Sequence, residues 1–268
     1  GTYYHKSDLE DCELFNGIDV SWWQASGKKT TLIDWSAAHD AGIDFAFVRV
    51  ASRDTSDGSI YTDTSADSHI QTALANDVNV GLYIFSQAVT EDEAVEEAEY
   101  VLDLVDQYNW DVTMPIVMDR EAGRTSKKLK AGTLSKAKET AVCQAFADTI
   151  TDAGYEACVY ASYSWIRNYI NTDELSDCGL WIARYNNTTT SNSKSGTPYA
   201  DVAFDYDFWQ YSSSGKVDGY AKNLDVDFWY KDMSDETTGL KMKSNTAGSV
   251  TLSWDATDDA QKYRVYRY

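Results

Sequence analysis

The sequence contains no long apolar segment and no recognisable export signal. Across its 268 residues there is no run of about 18 apolar residues, so no membrane span is predicted. A charged start followed by an apolar stretch, which would mark a signal peptide, is absent as well. The chain begins with Gly1 instead of Met, and we expect it to be a processed or trimmed product.

Basic residues are few compared with acidic ones. The sequence has 23 Lys and Arg against 43 Asp and Glu, which gives a formal net charge of −20. Because such a chain repels phosphate groups, nucleic acids and anionic membranes are not expected as partners. The same acidity is typical of a highly soluble secreted protein.

Histidine is scarce. The three histidines are His5, His39 and His69, and the last two lie on or beside predicted helices. A Ser-His-Asp triad or a histidine-rich metal site is hard to build from so few residues. Acid–base chemistry would therefore fall to carboxylates or tyrosines, and no cofactor is expected.

The four cysteines, at positions 12, 143, 158 and 178, form neither a CxxC pair nor zinc-finger spacing. A structural metal is therefore not expected. Cys143 falls in a predicted helix and Cys158 in the strand that follows it, so the two sulfurs could meet where the helix packs on the sheet. A disulfide and two buried free thiols are both consistent with this placement.

Short apolar runs alternate with longer amphipathic segments from about residue 15 to residue 230. This alternation is typical of βα units around a parallel sheet. Eight runs are predicted to be strands, and eight is the number that closes a (β/α) barrel. They are Phe15–Ser21, Phe45–Ala51, Asn79–Ser86, Met114–Asp119, Ala157–Ala161, Leu180–Arg184, Phe208–Tyr211 and Leu224–Trp229.

Helix signals are strong in the first part of this region and weak in the last. Thr90 and Glu93 form a capping-box pattern ahead of apolar residues at helical spacing, which predicts a helix. A second helix is predicted to end at Gly154. The stretch 185–207 is rich in Asn, Thr, Ser and Gly and is predicted to be a long loop. We therefore expect an irregular barrel with weak final helices.

The composition changes near residues 233–238, which have the character of a linker. Beyond them, Ser249–Trp254 and Lys262–Arg267 show the alternation of two antiparallel strands. This tail resembles the start of a fibronectin type III domain, of which about 30 residues supply fewer than half. We therefore expect a longer, multidomain protein. The predicted order is an N-terminal extension (1–14), the barrel (15–232), the linker (233–238) and a partial fibronectin-like, all-β segment (239–268).

Two acidic residues follow one apolar strand. Asp119 and Glu121 come directly after Met114–Met118, and in (β/α) barrels the functional residues lie at the carboxyl ends of strands. Because side chains alternate along a strand, both acids are predicted to face the barrel mouth and Arg120 the opposite side. Two acids on one face repel, so one keeps its proton near neutral pH, as a general acid requires.

Other acids are placed similarly, and each has a structural alternative. Asp19 lies in an otherwise buried run of the first strand, while Asp225 and Asp227 share one face of the last strand. Any of these acids could instead be salt-bridged and purely structural. Because Arg120 is predicted to face away from Asp119, such pairing there would need another cation, which favours the functional interpretation.

Aromatic residues make up 13% of the sequence, with 9 Trp and 19 Tyr. Flat rings serve both hydrophobic cores and the stacking faces of sugar-binding sites. The composition therefore permits a glycan-binding protein without requiring one.

Eight short motifs follow one another along the chain. Together they resemble glycoside hydrolase family 25, the lysozymes that cleave the bond after N-acetylmuramic acid in peptidoglycan. The resemblance covers about Asn16 to Tyr230 and implies a flattened, irregular TIM-like (β/α) barrel of the α/β class. The motifs are Gly17–Ser21 with Gln24, Ile33–Trp35, Gly42–Arg49, Gly81–Tyr83, Asp119-x-Glu121, Leu180–Ala183 with Tyr185, Trp209–Tyr211 and Leu224–Asp227.

The resemblance also implies specific site residues. Glu121 would be the general acid/base, and Asp119 would steady the substrate's N-acetyl group or the charge that forms. Asp19 and Asp225 would complete the acidic floor. Each expected aromatic groove residue has ordinary barrel packing as its alternative. The residues expected to line the sugar groove are Tyr83, Tyr160, Tyr185, Trp209 and Asp227.

Two positions depart from the family's usual pattern. Ile84 and Phe85 follow the third-strand tyrosine, where many members have histidine, and Arg120 stands where an apolar or aromatic residue is more usual. We expect the chemistry to survive both changes and the substrate preference to differ.

The expected function is hydrolysis of the β-1,4 bond between N-acetylmuramic acid and N-acetylglucosamine. The enzyme would act on peptidoglycan strands as a secreted or cell-surface monomer, with no membrane insertion. Retaining, inverting and substrate-assisted routes are all compatible with the sequence, and the substrate-assisted route is favoured because these sugars carry an N-acetyl group. A chitinase-like glycosidase and a non-catalytic wall-binding module are the alternatives.

Overall fold

The structure is a computed structural model that describes His5, Leu9 and residues 12–123, 126–185, 204–231, 241–246 and 249–255. The strands are β1 (Glu13–Val20), β2 (Ala25–Ser26), β3 (Thr30–Thr31), β4 (Phe45–Arg53), β5 (Ile60–Thr62), β6 (Asn79–Ser86), β7 (Ile116–Arg120), β8 (Ala157–Ser162), β9 (Cys178–Ala183), β10 (Phe208–Gly215), β11 (Leu224–Lys231), β12 (Lys241–Thr246) and β13 (Ser249–Ser253). The helices are α1 (Trp35–Asp40), α2 (Ala66–Leu74), α3 (Glu91–Tyr108), α4 (Lys136–Asp152) and α5 (Tyr163–Tyr169), and short 3-10 helices lie at Trp22–Gln24 and Thr172–Glu174.

Eight strands close into a barrel in the order β1, β4, β6, β7, β8, β9, β10 and β11. The ring closes because β1 pairs with β4 on one side and with β11 on the other. These eight are the predicted strands, so the predicted barrel is confirmed. β5 extends the sheet beyond β4 as an antiparallel partner.

The last barrel strand corrects the expectation of a parallel sheet throughout. β11 runs antiparallel to both β10 and β1, whereas the other seven strands run parallel to one another. Only residues 216–223 separate β10 from β11, which is too short for the crossover that a parallel neighbour needs. The start of β11 therefore lies at the end of the barrel where the parallel strands finish.

Residues that point outward from the strands form a core against the helices. This outer core is aliphatic and includes Ile18, Val48, Ile84 and Met118 from strands and Ala98, Val101, Phe146 and Ile150 from helices.

Residues that point into the barrel form a second, aromatic core. The rings of Phe47 and Trp181 stack with centroids 4.4 Å apart. A Cβ at Gly81 would lie 2.5 Å from the Phe47 ring and 2.7 Å from the Pro115 carbonyl oxygen, so only glycine leaves room for this packing. This inner core fills the barrel beneath the residues of its mouth. It consists of Phe45, Phe47, Tyr83, Met114, Val117, Cys158, Trp181 and Phe208.

The predicted helix signals are confirmed where they were strong. The Thr90 side chain accepts the N–H of Glu93 at the start of α3, although the Glu93 carboxylate accepts the N–H of Val89 instead of completing the box. Gly154 has a φ of +92° just beyond α4, the left-handed geometry predicted for it. The last α-helix, α5, has only 7 residues, and the connection from β10 to β11, residues 216–223, contains no helix. These two observations agree with the predicted weak final helices, whereas most of the loop predicted at 185–207 lies outside the described residues.

The C-terminal described residues form a separate two-stranded sheet. β13 confirms the strand predicted from Ser249, and its partner is β12, which the sequence pattern did not predict. The linker at 233–238 and the strand predicted at Lys262–Arg267 lie outside the described residues.

None of the described helices is both long enough and apolar enough to cross a membrane.

Cys143, Cys158 and Cys178 are free thiols. Cys143 and Cys158 are both fully buried, so the buried-thiol alternative is the one observed. Burial raises the pKa of each of these two thiols, which keeps them protonated and unreactive at neutral pH.

Candidate active site

A cavity of about 550 Å³ opens at the end of the barrel where the parallel strands finish. Its walls combine two kinds of residue that the sequence brings from distant parts of the chain. The carboxylic acids are Asp19, Asp119, Glu121 and Asp225. The aromatic residues are Trp22, Trp23, Tyr61, Tyr83, Phe85, Tyr160, Trp181 and Tyr185.

Strand alternation places Asp119 and Glu121 as predicted. Val117 lies in the inner core and Met118 in the outer core, so Asp119 points back into the barrel and Glu121 follows at its rim. Arg120 points to the other side, where it is fully buried. The predicted separation of the two acids from the arginine between them is confirmed.

The antiparallel last strand brings Asp225 beside Asp19. The two residues face each other in the register between β1 and β11, a position in which like charges repel directly. Asp225 stands at the start of its strand and Asp19 near the end of its own. Both consequently reach the same end of the barrel.

Burial raises the pKa of Asp19 and of Asp119 well above the usual range. For Asp19 the neighbouring Asp225 raises the pKa further, and the hydrogen bond from Gln210 lowers it. For Asp119 the further increase comes from Glu121 and then from Asp19. Asp119 is only 5% exposed, and its Oδ1 has no hydrogen-bond partner among the described residues. The site therefore contains a buried acceptor atom that a ligand donor could satisfy.

Glu121 differs from Asp119 because its side chain is open to water. It nevertheless lies inside a concave cavity, and desolvation by the surrounding protein raises its pKa, with Asp225 adding to the increase. Desolvation also raises the pKa of Asp225. Since the exposure of Glu121 weakens these effects, the more buried Asp119 holds a proton more strongly in the free protein.

Gln210 organises the wall opposite these acids, and sequence reasoning did not select it. Its Nε2 donates to Asp19 Oδ2 at 2.6 Å. The hydroxyls of Tyr160 and Tyr185 both donate to its Oε1, at 2.8 and 2.6 Å. The amide thus fixes one acid and two predicted sugar-binding tyrosines at once. Tyr83 also lines the cavity as predicted.

Trp209, predicted to line the sugar groove, does not reach the cavity. It is 1% exposed and belongs to the outer core, and its Nε1 donates to the Arg184 carbonyl oxygen. Because side chains alternate on β10, Phe208 and Gln210 face inward and Trp209 faces outward. The same alternation could have identified Gln210 from the sequence.

Asp227 is the second corrected residue. It is fully buried beneath the cavity and accepts the Nε1–H of Trp181 at 2.9 Å. Trp181 itself lines the cavity and covers Asp227. The acid predicted to bind substrate therefore holds the tryptophan that forms the cavity floor. Trp181 was part of a recognised motif, yet only its alternation with Ala183 and Tyr185 indicates that it faces inward.

Arg49 is a cation in this acidic cavity. Its Nε and Nη2 donate to Asp63 Oδ2 at 3.0 and 2.9 Å, and its guanidinium lies 5.0 Å from the centre of the Trp22 ring. The charge of Arg49 lowers the pKa of both Asp19 and Asp119. Arg49 thus offsets part of the repulsion among the carboxylates.

The two residues at the first family departure, Ile84 and Phe85, lie in different environments. Ile84 packs in the outer core, whereas Phe85 lines the cavity.

Within the described residues, no three His, Cys, Asp or Glu side chains are arranged to hold a metal ion.

Replacing Asp119 with asparagine is expected to stabilise the fold by an amount that grows with pH. Because burial raises the pKa of Asp119, the folded state retains a proton that the unfolded state loses above about pH 4, and wild-type stability falls as pH rises. The amide of the D119N variant carries no charge at any of these pH values. In urea unfolding, the difference between D119N and wild type should be near zero below about pH 4 and increase toward about pH 8.

The exposed Asp103 on α3 provides the control, since D103N should change the unfolding free energy by less than about 0.5 kcal/mol at each pH. A difference for D119N that does not vary with pH, or one that turns into a growing loss, would contradict the assigned environment.

Comparison with known proteins places most of the barrel in one family. Residues 18–220 match glycosyl hydrolases family 25. The autolytic lysozyme of Clostridium acetobutylicum is 22% identical over 211 residues, which are 79% of this chain and 54% of that protein. Lysozyme M1 of Streptomyces globisporus is 24% identical over 218 residues, which are 80% of this chain and 67% of that protein.

A solved structure shows the same fold. The modular autolysin LytC of Streptococcus pneumoniae, in complex with a synthetic peptidoglycan ligand, superposes with a TM-score of 0.64 at 21% identity. The match covers 81% of this chain and 47% of LytC, so the chain spans about half the length of LytC and of the clostridial lysozyme. Because the family match takes in most of the chain, including the cavity acids Asp19, Asp119 and Glu121, this chain belongs to glycosyl hydrolases family 25.

Proposed function

We propose that this chain is a peptidoglycan hydrolase of the lysozyme type, in which Glu121 donates a proton to the leaving glycosidic oxygen. The observation that carries the proposal is the cluster of four carboxyl groups in an open, aromatic-lined cavity. Burial raises the pKa of each, and repulsion from neighbouring acids raises the pKa of Asp19, Asp119 and Glu121 further. The cluster therefore holds a proton at higher pH than isolated carboxylic acids do, as glycoside cleavage requires.

Glu121 is the proposed general acid/base because it combines a raised pKa with access to solvent. Its carboxyl stands at the open rim, where a glycosidic oxygen can approach it. In the first step Glu121 gives its proton to the leaving oxygen as the bond to C1 breaks. In the second step the resulting carboxylate takes a proton from the water that attacks C1.

Asp119 is the proposed orienting residue for the substrate's N-acetyl group. Its Oδ1 is a buried acceptor without a partner in the described part of the chain, and the acetamido N–H is a donor of the right kind. Holding that N–H would aim the acetamido oxygen at C1, so that the oxygen acts as the internal nucleophile. This substrate-assisted route does not depend on the carboxylate spacing of about 5–5.5 Å or 6.5–9.5 Å that distinguishes the other two routes.

Asp19 and Asp225 are proposed to maintain the charge state of this pair. Asp225 raises the pKa of Glu121, and Asp19 raises that of Asp119. Gln210 fixes Asp19 as a hydrogen-bond acceptor, which favours its ionised form. The negative charge on this side of the cavity would also stabilise the positive charge that develops at C1.

The tyrosines of the cavity wall are proposed to bind the sugar rings. Tyr83, Tyr160 and Tyr185 line the cavity, and Tyr185 is the exposed one of the three, at 52%. An exposed ring beside a polar cleft suits the apolar face of a pyranose sugar.

The proposed scissile bond is the β-1,4 bond between N-acetylmuramic acid and N-acetylglucosamine. Two relatives are named as lysozymes, and LytC carries a synthetic peptidoglycan ligand. Analysis of the released wall fragments tests this choice of bond. N-acetylmuramic acid at the new reducing ends would support it. N-acetylglucosamine at that end would instead support cleavage of the other linkage, as in a chitinase-like enzyme.

The change Glu121→Gln is expected to reduce clearing of purified bacterial walls by at least about a hundredfold, because the amide keeps the shape of the side chain and cannot donate the catalytic proton. The rate is measured as loss of turbidity at matched concentrations of folded protein.

Glu99→Gln is the matched control, since Glu99 is an exposed residue of α3. This variant should clear walls at the wild-type rate. Equal clearing by E121Q and wild type would refute the assignment of Glu121.

Removal of N-acetyl groups from the wall is expected to slow wild-type cleavage on the order of a hundredfold, because a free amine provides no internal oxygen nucleophile. Release of reducing ends is compared before deacetylation, after it, and after chemical re-acetylation, which should restore the rate. An undiminished rate on deacetylated wall would eliminate the substrate-assisted route.

The proposed substrate implies an extracellular setting. We infer that the protein acts as a monomer outside the cell, as a secreted or surface enzyme, because its proposed substrate is the wall. Residues 239–268 are proposed to begin a fibronectin type III-like unit after a catalytic unit at 15–232 and a linker at 233–238. The β12–β13 hairpin is compatible with this assignment.

A further inference from the structure

The side chain of Gln87 joins the end of β6 to the main chain of Glu121. We propose that Gln87 is a positioning residue for the general acid, holding the backbone at Glu121 so that its carboxyl stays at the rim above Asp119. This inference rests on the proposed function, because it assumes that Glu121 is the acid.

The topology brings the two residues together. β6 and β7 are parallel neighbours, and Ser86 is paired with Arg120 in their register. The next residue on each strand, Gln87 and Glu121, therefore leaves the sheet at the same level. Gln87 is completely buried, so its amide must find partners within the protein.

Both polar atoms of the Gln87 side chain are used around the segment that carries the acid. Nε2 donates to the carbonyl oxygens of Glu121, at 3.0 Å, and Ser86, at 2.9 Å. Oε1 accepts the hydroxyl of Ser126 at 2.6 Å. One amide thus holds the chain at residue 121 and again at residue 126, five residues after the acid.

Gln87 is itself held in place by buried charges. The main-chain N–H of Gln87 donates to Glu97 Oε1 at 3.2 Å, and the same oxygen accepts a hydrogen bond from Arg53 Nε at 2.7 Å. Both Arg53 and Glu97 are buried. A loose side chain could not restrain Glu121, so this anchoring is what makes the contact effective.

Arg120 forms a second connection between the same strand ends, in the opposite direction. Its Nη1 donates to Ser86 Oγ and to the Ala88 carbonyl oxygen, both at 2.9 Å. Its Nε and Nη2 donate to the two carboxylate oxygens of Glu139 at 2.9 and 2.8 Å. The residues on either side of Gln87 are therefore fixed from β7, while Gln87 fixes the residue after Arg120.

Glu121 needs such support because no other described residue holds its carboxyl group in place. The residue lies just beyond β7, and its carboxylate makes no hydrogen bond to any described residue. Its position therefore depends on its main chain. A displacement of about 1 Å in a catalytic group can cost about a hundredfold in rate.

The test compares three variants on soluble peptidoglycan fragments, with kcat, KM and unfolding free energy measured for each. Gln87→Met keeps the length of the side chain and removes its hydrogen bonds, so kcat should fall about tenfold to a hundredfold with KM within about twofold. Ser126→Ala removes the bond to Oε1, together with the bond that Ser126 Oγ accepts from the Lys128 N–H at 3.1 Å, and kcat should fall about threefold to tenfold. If Q87M does not fold, the kcat of S126A tests whether Gln87 positions Glu121.

Gln144→Met is the matched control. Gln144 also bridges to main chain, at Ser176, but on α4 away from the cavity, so its loss should lower stability and leave kcat unchanged. In the E121Q background, Q87M should cause no further loss of kcat, because Gln87 acts through Glu121.

Unchanged kcat per folded molecule in Q87M and S126A, or an equal kcat loss in Q144M, would overturn the inference. A further loss caused by Q87M on top of E121Q would overturn it as well. If E121Q retains wild-type activity, the proposed function fails first, and the outcome is thereby distinguishable from a failure of the Gln87 assignment.

Discussion

Four carboxyl groups crowded into the mouth of one barrel impose the main physical constraint on this molecule. Asp19 and Asp225 face each other on two neighbouring strands, Asp119 lies near the end of a third, and Glu121 lies just beyond that end. Burial raises the free energy of ionising these groups, and repulsion between neighbouring carboxylates adds to it at Asp19, Asp119 and Glu121. The chain tolerates the arrangement because Arg49 and Gln210 offset part of the repulsion, and because the charge can be reduced by retained protons.

The fold serves this cluster in two ways. The aromatic inner core fills the barrel below the acids, so the cavity has a low-dielectric floor at Trp181 instead of a water-filled channel. The short connection into β11 reverses the last strand and thereby brings Asp225 to the end of the barrel where the cavity opens. Outside the barrel, buried pairs such as Arg120–Glu139 hold the strand ends. Removing one partner of such a pair costs about 3–5 kcal/mol, so the strand ends that carry the acids are firmly fixed.

Local patterns in the sequence were sufficient for the strands and for the opposite orientations of Asp119 and Arg120, because apolar runs and two-residue alternation are local properties. They did not reveal that β11 is antiparallel, since alternation carries no strand direction. Trp209 was selected over Gln210 because aromatic rings suggest sugar binding, although alternation puts the two on opposite faces. The bond from Gln87 to Glu121 spans 34 residues and depends on strand register, which the sequence alone does not display.

The central claim is that burial and mutual repulsion keep a proton within this cluster near neutral pH. The most direct measurement is a ¹³C NMR titration of the Asp and Glu carboxyl carbons in wild type and in the D225N variant. The account predicts that Asp119 titrates well above the usual value of about 3.9 and Glu121 above about 4.3, and that D225N lowers the midpoint for Glu121. Titration of all four acids at ordinary values, unchanged in D225N, would contradict it.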